Sequence, residues 1–362
     1  MSNYNLTKMA VDMYCPGNVV QLDDAGLPSI LVYIPAFKNS DVLTGGDDNT
    51  HPAFIVNGKE IAGFYYSKYQ NVIHNGRAYS LPAEDPAVNI NFETAREACE
   101  AKGYGWHLAT AAEWAAIALW CKKNGFLPYG NNNYGKDNRE TDHKAIPTST
   151  NSDGTTNRVA TGTGPLTWSH DGTASGIWDM NGNVWEWQAG IRIVWGELQI
   201  LANNDAADPD NPQNETSVCW KAIDASDGSL VGPECSVSDT AVKTSGNTVK
   251  LDYIDVWTYS TGVTNAIGSQ THSFANVKCA DTISDAAKLL LKALALLPED
   301  DANASDYDND TVNWINNVPE CCVISGGDRG FLTRTGVFCS YNGLRTAKNG
   351  TLGFRAAYIP YI

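Results

Sequence analysis

The stretch that most constrains this chain is Asp179-Met180-Asn181-Gly182-Asn183-Val184-Trp185-Glu186-Trp187. Asn181-Gly182 is a turn dipeptide. On a strand leaving that turn, Trp185 and Trp187 share one face, and Val184 and Glu186 take the other. A carboxylate beside a packed aromatic pair is expected to be buried, and a buried carboxylate needs backbone donors or a cation. The residues alone leave open which of the two holds Glu186.

Few other function classes survive the composition. Of 362 residues 43% are apolar, enough to bury a core in one elaborated domain or two. A net charge of −16 disfavours nucleic acid and anionic membrane surfaces, which call for basic patches. No apolar run approaches the length of a membrane span, and the N-terminal residues lack the charged start and apolar core of a signal peptide. The nine cysteines form no CxxC, and the six histidines form no HExxH or HxxxH pair. This fits synthesis in a reducing cytosol with mostly buried thiols, and it is compatible with later release in a phage particle.

Local patterns outline the elements. Residues 1–30 are polar with turn signals at Pro16-Gly17 and Asp23–Gly26, and Ile30 to Ile34 reads as a buried strand. Asn57-Gly58 marks a hairpin before the run Phe64 to Tyr69. Two helices are expected, from Asn91 to Gly103 and from Thr110 to Gly125. The second opens on a capping box, Thr110 with Glu113, and ends on Lys122 and Lys123, which complement the helix dipole. Between them, His107 is expected to be packed or hydrogen-bonded rather than catalytic. Residues 129–165 read as a long loop. Five of the eleven tryptophans crowd into 162–195, where Ile191–Trp195 and Glu197–Leu201 suggest a strand pair around Gly196. An amphipathic helix is expected from Asp281 to Leu297. Asp306-Tyr-Asp-Asn-Asp310 lacks the Gly and Glu of a calcium loop, because Thr311 and Asn317 stand at those places, and is expected to be a solvated acidic loop.

DMNGNVWEW resembles the Gly-Asn-Val-Trp-Glu-Trp signature of the formylglycine-generating-enzyme and sulfatase-modifying-factor family. Residues 51–121, 162–196 and 326–362 support the resemblance. Trp106-His107-Leu108-Ala109-Thr110 is similar to the family's Trp-Arg-Leu-Pro-Thr, with His107 and Ala109 as departures. Gly326-Gly327 and Gly353-Phe354-Arg355 match the family's C-terminal glycine pair and Gly-Phe-Arg, but Asp328 and Arg329 replace its Ser-Trp. The resemblance implies an α+β, C-type-lectin-like fold with long loops and a large insertion. The expected organisation is an N-terminal strand and extension over 1–50, a core over 51–201, an insertion over 202–320 carrying the amphipathic helix, and a C-terminal region over 321–362 that completes the core.

The same family includes the variable proteins of diversity-generating retroelements, which bind ligands and are not enzymes. In that branch, exposed C-terminal positions are substituted on a fixed scaffold. Here Phe331, Leu332, Val337, Phe338, Leu344 and Leu352 are expected to hold the backbone. The expected ligand positions are Asp328, Arg329, Thr333, Arg334, Thr335, Ser340, Tyr341, Asn342, Lys348, Asn349 and Thr351. The implied partner is a macromolecule, a protein or glycan on a target cell surface, met from a phage tail tip or a cell surface, with neither nucleic-acid binding nor membrane insertion. The enzyme branch is the alternative. Its chemistry uses two C-terminal cysteines that bind copper through thiolates. Cys339 is the only cysteine after Gly326, and Cys321 and Cys322 precede the glycine pair, so the expectation is no catalytic residue. A fixed lectin-like module is the other alternative. No cofactor is expected beyond a structural calcium, which the resemblance places at Asn181, Gly182, Val184 and Glu186 through oxygen ligands.

Overall fold

The computed structural model describes residues 3–142 and 144–360. His143, inside the expected long loop, and the first and last two residues of the chain lie outside the described residues. Two sheets organise the molecule. The smaller runs in the order Asn18–Leu22, Pro28–Pro35, Gly63–Ser67, Ala356–Tyr358, Trp106–Leu108, with antiparallel neighbours throughout. Pro28–Pro35 is thus an interior strand. The strand expected at Ile30 to Ile34, within the N-terminal strand and extension, is part of the core, with Ile30, Leu31, Val32 and Ile34 buried.

The larger sheet is built on Trp185–Val194, in which all ten residues are buried. Cys321–Ser325 pairs antiparallel along one edge, with an irregularity between Trp187 and Arg192. The other edge is shared. Leu352–Phe354 lies parallel to the first three residues, and Glu197–Ile200 lies antiparallel to the last four. The turn joining that hairpin, Trp195-Gly196, has φ of 49° and 85°, a left-handed pair that suits a two-residue hairpin. Beyond Cys321–Ser325 the sheet continues through Ser340–Gly343, Thr311–Trp314 and Gln270–Ser273. Strands of the expected insertion therefore widen the core sheet.

The helices follow their local signals. Asn91 Oδ1 accepts from Thr94 N at 2.9 Å and starts Phe92–Glu100. Thr110 and Glu113 close the expected box at the head of Ala111–Lys123. The amphipathic segment is helical only over Asp285–Ala293. Ser284 caps it and Leu294 ends it, with Ala287 and Leu291 buried. Two helices were not expected, the single turn Asn39–Val42 and a longer one at the start of the chain. Asn3–Tyr14 replaces the polar, irregular start, since Leu6, Met9, Ala10 and Met13 favour helix, Lys8 pairs with Asp12 one turn on, and Val11 is buried. The turn signals at Pro16-Gly17 lie after it.

Candidate ligand face and the polar core behind it

The motif splits as its alternation requires. The Trp185 ring lies 4.4 Å from Tyr341 and 5.4 Å from Phe331. Trp187 meets Phe92 edge-on and donates its indole N–H to the Ile90 carbonyl at 2.9 Å. Glu186 faces the opposite way, fully buried. Arg355 Nε reaches its Oε2 at 2.7 Å, and Gln70 Nε2 reaches its Oε1 at 3.0 Å. Arg355 also donates to the carbonyls of Ser67, Lys68 and Trp178 at 3.3, 3.1 and 2.5 Å. A cation therefore holds the carboxylate, and that cation belongs to the Gly-Phe-Arg end of the chain. Burial raises the Glu186 carboxyl above its ordinary value, while the guanidinium opposes it. Nearby, burial pushes Asp179 up to about 6. One of its oxygens accepts from Gly162 N and the other has no partner.

The residues placed at the calcium position do not fit that ion. Calcium takes oxygens at about 2.3–2.6 Å. The carbonyls of Gly182 and Val184 and the Glu186 carboxylate do converge, but on the side-chain nitrogen of Gln70, at 3.3, 3.0 and 3.0 Å. Asn181 is turned elsewhere. Its carbonyl oxygen accepts from Thr335 Oγ1 at 2.8 Å, and its nitrogen donates to the Pro128 carbonyl at 2.9 Å. Among the described residues, no group of three or more His, Cys, Asp or Glu is placed to hold a metal.

The C-terminal block is pinned where the glycine pair starts it. Gly326 and Gly327 have φ of 90° and 78°, and a Cβ on Gly327 would stand 2.2 Å from Thr335 Cγ2. Of the eleven expected ligand positions, Thr333, Arg334, Lys348 and Asn349 are exposed, and Arg329, Tyr341 and Thr351 are half-buried. The other four are buried, against expectation. Thr335 hydrogen-bonds Asn181, and Asn342 bridges both polar groups of the Ile315 backbone at 2.9 and 3.1 Å. Ser340 accepts from the Trp314 indole at 3.3 Å. Asp328 accepts from Gly330 N at 3.0 Å and pairs with Arg329 at 3.3 Å. These side chains spend their polar atoms on the fold, and for Ser340 and Asn342 the cause is strand pairing on both sides of Ser340–Gly343, which turns alternate residues inward.

Two apolar residues also face outward, against expectation. Leu332 and Leu344 are 44% and 50% exposed, and so do not hold the backbone. The exposed residues of the block are thus Leu332, Thr333, Arg334, Leu344, Thr346, Lys348 and Asn349, and Phe331 and Tyr341 lie half-buried on Trp185. Arg334 lies 5.0 Å over the Phe331 ring. Sequence reasoning missed Tyr134, whose backbone N–H donates to the Arg329 carbonyl and whose hydroxyl lies against Gly330. Nothing in the Asn-rich loop around it signalled a contact so far along the chain.

All nine cysteines are free, and six are buried. Burial holds the Cys339 thiol well above its ordinary value and pushes Cys321 up to about 12. His107 is hydrogen-bonded, as expected, to Glu113 at 2.9 Å. The Asp306–Asp310 loop is not the solvated one expected. Asp308 pairs with Arg139, and Asp310 is buried, accepting from Phe338 N at 2.8 Å. Burial, and then the nearby Asp308 charge, raise the Asp310 carboxyl well above its ordinary value.

Residues 48–196 match the family described as the sulfatase-modifying factor enzyme 1-like domain. Three solved structures align over most of the chain. PvdO from Pseudomonas aeruginosa is 15% identical, with 94% of this chain and 97% of that one covered and a TM-score of 0.37. Variable protein 1 of Treponema denticola is 11% identical, with 95% and 100% covered and a TM-score of 0.30. The P3c variant of the Major Tropism Determinant is 9% identical, with 94% and 71% covered and a TM-score of 0.27. No curated protein matches. The sheets and helices above make the fold α+β, and over residues 48–196 it matches the sulfatase-modifying-factor type.

Proposed function

We propose that this α+β domain of the sulfatase-modifying-factor type is a scaffold for ligand binding, and that its face over residues 328–351 is diversified by a retroelement to attach a carrier to a protein or glycan on a target cell. The observation that carries the reading is the division within that segment. Thr333, Arg334, Lys348 and Asn349 are exposed, while Val337, Phe338 and Cys339 are buried. Exposed substitutions cost within about 0.5 kcal/mol, so such positions can change while the buried ones keep the backbone. Phe331 and Tyr341 add rigid aromatic area, and Arg334 adds a forked donor, which suits recognition of many partners.

The reading is non-enzymatic. A copper–thiolate oxidase needs paired, ionised cysteines, and Cys339 is a buried thiol and the only cysteine after Gly326. The carrier is a phage tail tip or a cell surface. No helix among the described residues is long and apolar enough to cross a membrane.

The test is to sequence the DNA beside the gene. A near-copy of the codons for residues 326–355, differing where the copy has adenine and lying next to a reverse transcriptase gene, supports the proposal. The differing codons should then fall on the exposed residues and spare Thr335 and Asn342. An unchanging segment across independent isolates, with no such copy, refutes diversification and leaves a fixed lectin-like module.

A further inference from the structure

The turn that the family resemblance marks for calcium is curled by three left-handed residues, Asp179, Gly182 and Asn183, with φ of 61°, 77° and 63°. This curl aims the carbonyls of Asp179, Gly182 and Val184 at one point, together with Glu186 Oε1. Gln70 Nε2 stands at that point, 3.1, 3.3, 3.0 and 3.0 Å from the four oxygens. Four acceptors converging on one atom is the geometry of a coordination shell. Here the atom is an amide nitrogen, and the shell is about 0.6 Å wider than calcium takes.

Which end of the Gln70 amide faces the shell follows from its neighbours. The backbone N–H of Val159 can only donate, and it donates to Asn183 Oδ1 at 3.0 Å. Asn183 Nδ2 therefore points the other way, to Gln70 Oε1 at 2.9 Å and to the Val159 carbonyl at 3.2 Å. With its oxygen so engaged, Gln70 presents its nitrogen to the four oxygens. The shell still holds a carboxylate, and its charge is met by Arg355 on the other oxygen, at 2.7 Å.

We propose that Gln70 and Arg355 together stand in for a metal ion: the amide nitrogen fills the coordination point, the guanidinium supplies the positive charge, and the fold is independent of calcium. The two residues come from distant parts of the chain, so the cluster ties the end of Gly63–Ser67 and the Gly-Phe-Arg segment to the tryptophan motif. A metal would tie only the motif's own oxygens. The fold would then hold equally in calcium-rich and calcium-depleted surroundings. This inference is independent of what the exposed face binds.

The test uses the full chain, purified in the presence of calcium and freed of unbound ion. Calcium content and melting temperature are then measured in EGTA and in millimolar calcium chloride. The wild-type chain is expected to hold substoichiometric calcium and to melt within about 1 °C in the two conditions. About one calcium per chain, with a melting temperature that falls in EGTA, overturns the proposal. The second arm is Gln70→Glu, which puts a carboxylate at the coordination point beside Glu186 and so calls for a cation there. Its melting temperature is expected to rise by more than about 3 °C on adding calcium. A folded Gln70→Glu chain indifferent to calcium also overturns the proposal, since the point would then not be shaped for a cation. If that variant does not fold, the wild-type measurement decides.

Discussion

Removing Arg355 tests how the two sheets are joined. The guanidinium is fully buried, and its bonds run to Glu186 and to three carbonyls of other segments. Arg355→Met keeps most of the volume and leaves Glu186 charged, with only the Gln70 amide facing it. Breaking one side of a buried pair costs about 3–5 kcal/mol. Glu186→Gln leaves the opposite orphan, a buried guanidinium facing carbonyls, at a similar cost. If the costs were independent, the double variant would lose about 6–10 kcal/mol, much of the 5–15 kcal/mol that a folded domain has in total. The double variant buries no unpaired charge, so it should lose no more than either single one. The coupling is then about 3 kcal/mol or more. Equilibrium urea unfolding at neutral pH, followed by tryptophan fluorescence with m-values checked for constancy, measures all four corners. Single costs that add to within about 0.5 kcal/mol would refute the coupling and the account of Arg355 as the counter-ion.

Three further outcomes are expected. Thr335→Val should cost about 1–3 kcal/mol through the orphaned Asn181 carbonyl, whereas Thr333→Val, two residues earlier, should stay within about 0.5 kcal/mol; equal costs would undo the division between exposed and buried positions. Asp179, raised from 3.8 to about 6 by burial, binds its proton more tightly folded than unfolded. Its contribution is therefore fully present below about pH 4 and is lost as pH rises through 6, by about 3 kcal/mol. Asp179→Asn should remove that share of the pH dependence in urea midpoints measured from pH 4 to 7, and an unchanged difference curve would contradict it. Under a thiol reagent the native chain should expose at most the half-buried Cys15, Cys219 and Cys279; Cys339 reacting as fast as these would show that its burial is wrong.

Much of the core was legible because its signals are local or strictly periodic. The Thr110–Glu113 box, the Asn57-Gly58 and Gly196 turns, and the alternation of Trp185, Glu186 and Trp187 each needed only a few neighbouring residues. What was not legible depends on partners far along the chain. Nothing near Glu186 announces Arg355 or Gln70, and nothing in Ser340 to Asn342 tells that strands would cover that segment from both sides. The same reason explains the first helix. Its turn signals were visible, but the burial of Val11 that settles the helix against the core was not. On the exposed face the failure ran the other way. Leu332 and Leu344 read as inward-facing because they are apolar, although single apolar residues at a surface are ordinary.

The C-terminal chain crosses the molecule twice. Ser340–Gly343 and Leu352–Phe354 join the larger sheet, and Ala356–Tyr358 then lies between Gly63–Ser67 and Trp106–Leu108 in the smaller one. Any rewriting of residues 328–351 therefore happens upstream of parts the fold cannot do without. A frameshift or stop codon in that window removes Arg355 and the strand in the middle of the smaller sheet. Under the proposed diversification, the order of segments along the chain would act as a proofreader, passing only those variants whose reading frame survived.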